Sequence, residues 1–176
     1  MSATKQTNLT RVTRALWLVA GLCLSLLLST SSRADGTLWS MGNNEYGQLG
    51  TGDEVDQSSP QEVVGDVVAI AAGEDHTLFL DSDGALWGMG QNYFYSQLGT
   101  HDWINHSTPV KIVESGVVAV AAGGVSSMFI DGDGALWAMG SNYYGQLGSG
   151  ETRQWYSLPT KVVSSGVVAA AMGARS

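Results

Sequence analysis

The sequence predicts an all-β protein: part of a β-propeller, with about three blades of antiparallel four-stranded sheet, preceded by a helical signal peptide. Three observations lead there. One unit recurs at offsets of 48 and 50 residues, a spacing typical of repeat architectures. Each copy carries short β-branched or apolar runs closed by glycine or turn residues, which favours strands. A cationic and then apolar stretch opens the chain, in the order of an export signal.

That opening stretch, residues 1–34, holds Lys5, Arg11, Arg14 and Arg33 and no acid. The apolar run from Ala15 to Leu28 is short of the ~20 residues that span a bilayer. Ser32-Arg33-Ala34 places small side chains at −3 and −1 of a cut before Asp35. The expected product is therefore secreted or periplasmic, or sits at the cell surface. Leu22 precedes Cys23 where a lipoprotein signal wants a small residue, so lipidation is not expected. Cys23 is the only cysteine and leaves with the leader, so the mature chain has no disulfide or thiolate chemistry. Packing alone must hold it, which suits a bacterial exported protein.

The repeat is read from Asp35 onward. Asp35-Gly36-Thr37-Leu38-Trp39 returns as Asp83-Gly84-Ala85-Leu86-Trp87 and Asp133-Gly134-Ala135-Leu136-Trp137. Each copy continues through an aromatic loop to Gln48-Leu49-Gly50, Gln97-Leu98-Gly99 or Gln146-Leu147-Gly148. Then come Pro60, Pro109 and Pro159, and Val67-Val68-Ala69, Val117-Val118-Ala119 and Val167-Val168-Ala169. The units so defined are 35–82, 83–132 and 133–176, the last incomplete. Within a unit, Asp81-Ser82-Asp83-Gly84 makes a hairpin turn whose glycine can take positive φ. Leu86-Trp87-Gly88-Met89 puts large apolar groups at adjacent positions, hence on both faces of the sheet. A sheet buried on both faces lies between other sheets, as a propeller blade does. Ala71-Ala72-Gly73 and Ala121-Ala122-Gly123 supply small residues where strands converge.

These motifs together resemble the repeat of the regulator of chromosome condensation family. The resemblance covers essentially all of 35–176 and implies a propeller, usually of seven blades with about 50 residues each. Departures are Ser96 in place of the loop glycine at Gly47 and Gly145, one extra residue between Gly90 and Gln97, and Ser126 where His76 stands in the preceding unit. Seven such blades need about 350 residues, whereas 35–176 offers 142 (176 − 34). A piece of a longer product, closure by self-association and a short open array are the three expectations.

Charge narrows the function. The whole chain carries −8, but residues 35–176 hold all 16 acids against Lys111, Arg153, Lys161 and Arg175, a net of −12. Such a field repels phosphate backbones and anionic lipid, so neither nucleic acid nor, once the leader is cut, membrane is an expected partner. Asp81-Ser82-Asp83-Gly84 and Asp131-Gly132-Asp133-Gly134 look like the start of a calcium loop. Their twelfth positions are Asn92 and Asn142 rather than Glu, so plain turns are the better account. His101 and His106 flank Asp102 and Trp103 at a spacing that matches no metal site. Asn105-His106-Ser107 would be a glycosylation acceptor only in a eukaryotic secretory route. No nucleophile elbow, phosphate loop or dinucleotide fingerprint occurs, so neither an enzyme nor a cofactor or metal is expected.

Aromatic loop residues remain. Trp103 and Trp155-Tyr156 break the repeat, and such residues are free to specify a ligand. With His101, His106, Tyr46, Tyr93, Tyr95, Tyr143 and Tyr144 they form the expected binding face. The family resemblance implies a non-catalytic module engaging another protein through that face. Envelope carbohydrate is the alternative, since Trp and Tyr stack on sugars, and the guanine-nucleotide exchange of the family's namesake is a more remote one.

Overall fold

A computed structural model describes residues 15–17, 36–152 and 155–173. Its ten strands are β1 (Ala15–Trp17), β2 (Gly36–Gly42), β3 (Gln57–Ala72), β4 (His76–Asp81), β5 (Leu86–Gly90), β6 (His106–Val113), β7 (Val117–Gly123), β8 (Ser126–Asp131), β9 (Leu136–Ser141) and β10 (Trp155–Val163). The fold is all-β, as expected, and among the described residues no helix is long enough and apolar enough to cross a membrane. Only three residues of the leader are described, as β1 parallel to β2. The expected helix and cleavage site otherwise lie outside the described residues.

The strands form two sheets, ordered β1-β2-β3-β4-β5-β6 and β10-β9-β8-β7. The long β3 serves two blades. Its first half pairs with β2 (Leu38 with Val64, Gly42 with Gln57), and its second half pairs with β4 (Ile70 with Phe79). One four-stranded antiparallel blade is thus the end of β3 with β4, β5 and β6, and the next is β7 to β10. β2 and the start of β3 are two strands of the blade before them. The repeat in the sequence opens at the hairpin between second and third strands, so each sequence unit straddles two blades. Residues 167–172, the counterpart of β7, run without strand pairing, yet the amide of Val167 donates to the carbonyl of Gly134 and Met172 is buried against Met128 and Leu147.

The two-sided burial expected of a blade is visible along β4. Leu78 and Leu80 join Val117, Phe129 and Met139 in one apolar layer, whereas Phe79 joins Leu38, Val67 and Met89 in another. Alternate side chains of one strand therefore face alternate neighbours. One unit on, Phe129 faces back and Met128 faces forward. Removing a side chain such as Leu78 costs about 2–5 kcal/mol, and it does so at a junction between blades. The small residues are needed where they were expected: a Cβ on Gly73 would collide with the His76 ring, and one on Gly123 would lie 2.5 Å from the carbonyl oxygen of Gly173.

Polar bonds pin the junctions. Thr77 Oγ1 donates to the carbonyl of Gln48 at 2.9 Å, and Ser127 Oγ donates to that of Gln97 at 2.7 Å, so each fourth-strand loop is tied to the following blade. His76 adds a bond across the second junction, with Nε2 2.9 Å from Ser127 Oγ. The Ser127 proton is committed to Gln97, so His76 must donate from Nε2, and its buried Nδ1 has no partner. Burial pushes this imidazole down to about 4. The folded state holds His76 neutral while the unfolded chain binds a proton below about pH 6.5. Its contribution is accordingly complete above pH 6.5 and is lost as pH falls towards 4, by about 3 kcal/mol. Denaturant unfolding followed at several pH values checks this: His76→Ser, which copies Ser126 of the next unit, should flatten the slope of stability between pH 6.5 and 4.

Candidate functional site

The loops joining third to fourth strands all lie at one end of the blades, and each is organised by one buried asparagine. Asn44 Nδ2 donates to Thr51 Oγ1 at 3.2 Å and to the Asp53 carbonyl at 2.9 Å, while its Oδ1 accepts the amide of Leu49. Asn92 reaches Thr100 and Asp102 and accepts from Leu98; Asn142 reaches Ser149 and the Glu151 carbonyl and accepts from Leu147. These asparagines are what occupies the twelfth positions counted from Asp81 and Asp131. The aspartates have their own structural task. Asp81 Oδ1 accepts the amides of Asp83 and Ala85, and Oδ2 accepts the Trp87 indole at 2.8 Å; Asp131 repeats this with Trp137. Burial opposes the Asp81 charge, but the indole, the two amides and Lys111 outweigh it and hold the carboxyl below its usual range. Both carboxylate oxygens are filled by N–H donors, which accounts for the Asp-x-Asp-Gly motif as a turn.

The repeat tryptophans are half-buried rather than core. Trp87 stacks on Phe79 at 6.1 Å with Lys111 Nζ 4.9 Å over the ring, and Trp137 stacks on Phe129 at 5.9 Å with Lys161 Nζ at 4.8 Å. Among the described residues these two lysines are the only cations, and both are engaged in cation–π contacts.

The residues that break the repeat are brought together by the fold. Trp103, from the β5–β6 loop, meets Trp155 at the start of β10 edge-to-face, with centroids 6.0 Å apart. Trp155 contacts Tyr143 at 6.3 Å, Tyr143 contacts Tyr95 at 6.4 Å, and Tyr95 continues through Phe94 to Tyr93. Six rings thus form one ladder across the seam between two blades. Tyr93 and Phe94 are each 58% exposed and Trp155 and Tyr143 each 44%, so the ladder is both a seam and a surface.

Trp103 is displayed by a stiff support. Asp102 Oδ1 accepts from Thr100 Oγ1, Asn92 Nδ2 and the Ile104 amide, and Oδ2 accepts from His106 Nε2 at 2.8 Å. Burial works against this carboxylate, but Thr100, Ile104 and His106 outweigh it and lower its pKa. His101 and Trp103 both adopt left-handed backbone (φ 59 and 58), a strained conformation for bulky residues that tends to persist at functional sites. His101 takes a position held by Gly52 and Gly150 in the other units, and its Nδ1 lies 2.7 Å from Ser157 Oγ in the next blade.

The other expected binding residues lie apart from the ladder. Tyr46 sits near Glu45 and Asp75, and the Glu45 charge, burial and Asp75 raise its pKa. Tyr144 is 81% exposed and is not one of the ladder rings. The Tyr156 hydroxyl donates to Glu151 at 3.3 Å. His101 and His106 serve as loop struts, and among the described residues no group of three His, Cys, Asp or Glu could hold a metal. The sequence reading left out Phe94 and Asp102 as site residues. Asp102 was detectable, because acids recur at Asp53 and Glu151.

Two models of the regulator of chromosome condensation (RCC1) repeat match the chain, one over 35–80 and 133–176 and the other over 67–96 and 117–146. The chain belongs to the RCC1 repeat family. Human protein RCC2 is 40% identical over 87 residues, covering 46% of this chain and 16% of RCC2. The ultraviolet-B receptor UVR8 of Arabidopsis thaliana is 34% identical over 86 residues, covering 47% of this chain and 19% of the receptor. The crystal structure of Prp20p from Saccharomyces cerevisiae superposes with a TM-score of 0.63 at 23% identity, covering 74% of this chain and 34% of Prp20p. The chain thus spans less than a fifth of these two curated relatives and about a third of that propeller.

Ser96 is the point at which the β5–β6 loop departs from the family pattern. It holds φ 53 where Gly47 and Gly145 hold 77 and 76, and its buried hydroxyl has no partner. The extra residue lengthens the turn, so the Ser96 amide donates to the carbonyl of Asn92, four residues back, where Gly47 reaches Asn44. Ser96→Gly removes a left-handed Cβ and an unsatisfied hydroxyl and adds glycine's unfolded-state freedom. A net gain of about 1 kcal/mol is expected, readable as a rise in Tm.

Proposed function

We propose that this chain is an exported, non-catalytic interaction module that engages another protein through the aromatic ladder between its two four-stranded blades. The observation that carries this reading is the ladder itself: six rings from two loops, four of them 44–58% exposed. Partly exposed Trp and Tyr on a stiff support are the residues that dominate binding energy at protein interfaces. Prp20p, which shares the fold, is described by its binding to Gsp1p and histones, and protein partners are consistent with that use of the propeller. The leader of residues 1–34 supports export, with a bacterial envelope or secreted setting as its destination.

Carbohydrate at the envelope is the second reading, favoured by the same exposed rings. Immobilised protein exposed to envelope extract should retain a protein partner that both Trp103→Ala and Trp155→Ala release by tenfold or more. Retention of glycans in place of a protein would favour the second reading. Expression of the full chain with its leader should give an exported product whose N-terminal residue is Asp35, as N-terminal sequencing would show; a product retaining residues 1–34 would count against export by cleavage.

A further inference from the structure

The end of the molecule that carries the ladder is rich in acids among the described residues. The loops there hold Glu45, Asp53, Glu54, Asp56, Glu74 and Asp75 beside the first junction, with Asp102 and Glu151 flanking the ladder. Both described lysines lie on the outer strands β6 and β10, stacked on Trp87 and Trp137. Neither described lysine lies at this end, where His106 Nε2 faces Asp102 at 2.8 Å. The repulsion is felt locally: burial, Glu74 and Glu45 raise the pKa of Asp75.

We infer that the occupant of the ladder is a polypeptide segment bearing arginine side chains, whose guanidinium groups stack on the exposed rings while the Glu151 carboxylate beside them accepts their hydrogen bonds. Three features of the molecule support that choice. A guanidinium is planar, weakly hydrated and able to stack on an aromatic face while keeping its N–H fork free for a carboxylate. The protein already uses the pairing of ring, carboxylate and cation twice: Trp87 with Asp81 and Lys111, and Trp137 with Asp131 and Lys161. At the ladder, partly exposed rings stand beside the exposed carboxylate of Glu151, whose Oε2 takes a 3.3 Å bond from Tyr156, while Asp102 is already engaged by Thr100, Asn92, Ile104 and His106 and adds only its charge. Finally, the fixed backbone of Thr100–Ile104 sets Trp103 in place before any partner arrives, which lowers the ordering cost of binding. This inference rests on the ladder being the binding surface and adds the chemistry of what lies on it.

The test uses the full chain and a short peptide alternating glycine and arginine, with a matched peptide carrying glutamine in place of arginine, followed by calorimetry or tryptophan fluorescence. The arginine peptide should bind at least about tenfold more tightly than the glutamine peptide, and its affinity should fall as salt rises. Trp103→Ala and Trp155→Ala should each weaken it about tenfold, while Trp103→Phe, which keeps a ring, should retain most of the affinity. Equal binding of the two peptides overturns the inference, as does arginine-peptide binding that neither alanine variant weakens, because net charge alone would then explain it. If a captured protein is released by the alanine variants but the arginine peptide does not bind, the cationic chemistry fails and the interaction reading stands. If neutral oligosaccharides bind in a Trp103-dependent way and the peptide does not, both fall in favour of sugar.

Discussion

Every blade of this protein is apolar on both sides, and the rest of the structure follows from that. Leu78 and Phe79 are neighbours in sequence, yet one is buried towards the following blade and the other towards the preceding one. A sheet with this pattern covered on one side only would leave an apolar face in water, at a cost of roughly 1.5–3 kcal/mol for each large side chain. Stacking is therefore obligatory, and each new blade supplies a face that the last one needs. The polar links from Thr77 and Ser127 to the preceding loop fix how the faces are set against each other, because burial alone is not directional.

This constraint also accounts for the site. Loops that leave the same end of adjacent stacked sheets are forced into contact, so their side chains are selected as pairs across a seam. Trp103 and Trp155 belong to different units at different offsets, and they meet because the two sheets bring the end of one loop against the end of the next. The asparagine inside each loop leaves little freedom for the rings that the loop carries. A surface built in this way is rigid where it is aromatic. Rigidity is what lets exposed rings bind without a large ordering cost.

The second junction is unlike the first. The first has the Thr77 hydroxyl link and a backbone bond from the Gly52 amide to the Ser107 carbonyl, whereas the second has a buried histidine with one unsatisfied nitrogen, and the loop above it carries Ser96 and His101 where the other units have glycine. The departures from the repeat thus cluster around the seam that carries the ladder. A repeat protein tolerates such departures only where something other than packing maintains them. Their concentration at one seam marks it as the specialised part of an otherwise regular array.

The strands, the turns and the two-sided burial of the blades were legible in the sequence because they depend on local periodicity. The alternation along Thr77–Leu80, the glycine of each Asp-Gly turn and the small residues at Ala71-Ala72-Gly73 act within a few residues of where they are written. The aromatic loop residues could be nominated from their departure from the repeat, and five of the nominated residues do assemble in the ladder. What the sequence could not supply was their grouping. That Trp155 joins Trp103 while Tyr46 sits near Asp75, and that His101 reaches Ser157 in the next blade, depends on contacts between residues 29 to 56 positions apart. The repeat tryptophans make the same point in reverse. Their register shows only that they share one position in the unit, and the packing of β6 and β10 makes Trp87 and Trp137 each a half-buried stack of ring, carboxylate and lysine. Periodicity determined which residues form sheets and which faces must be covered; the stacking of one sheet on the next, which no local pattern encodes, decided which side chains became neighbours.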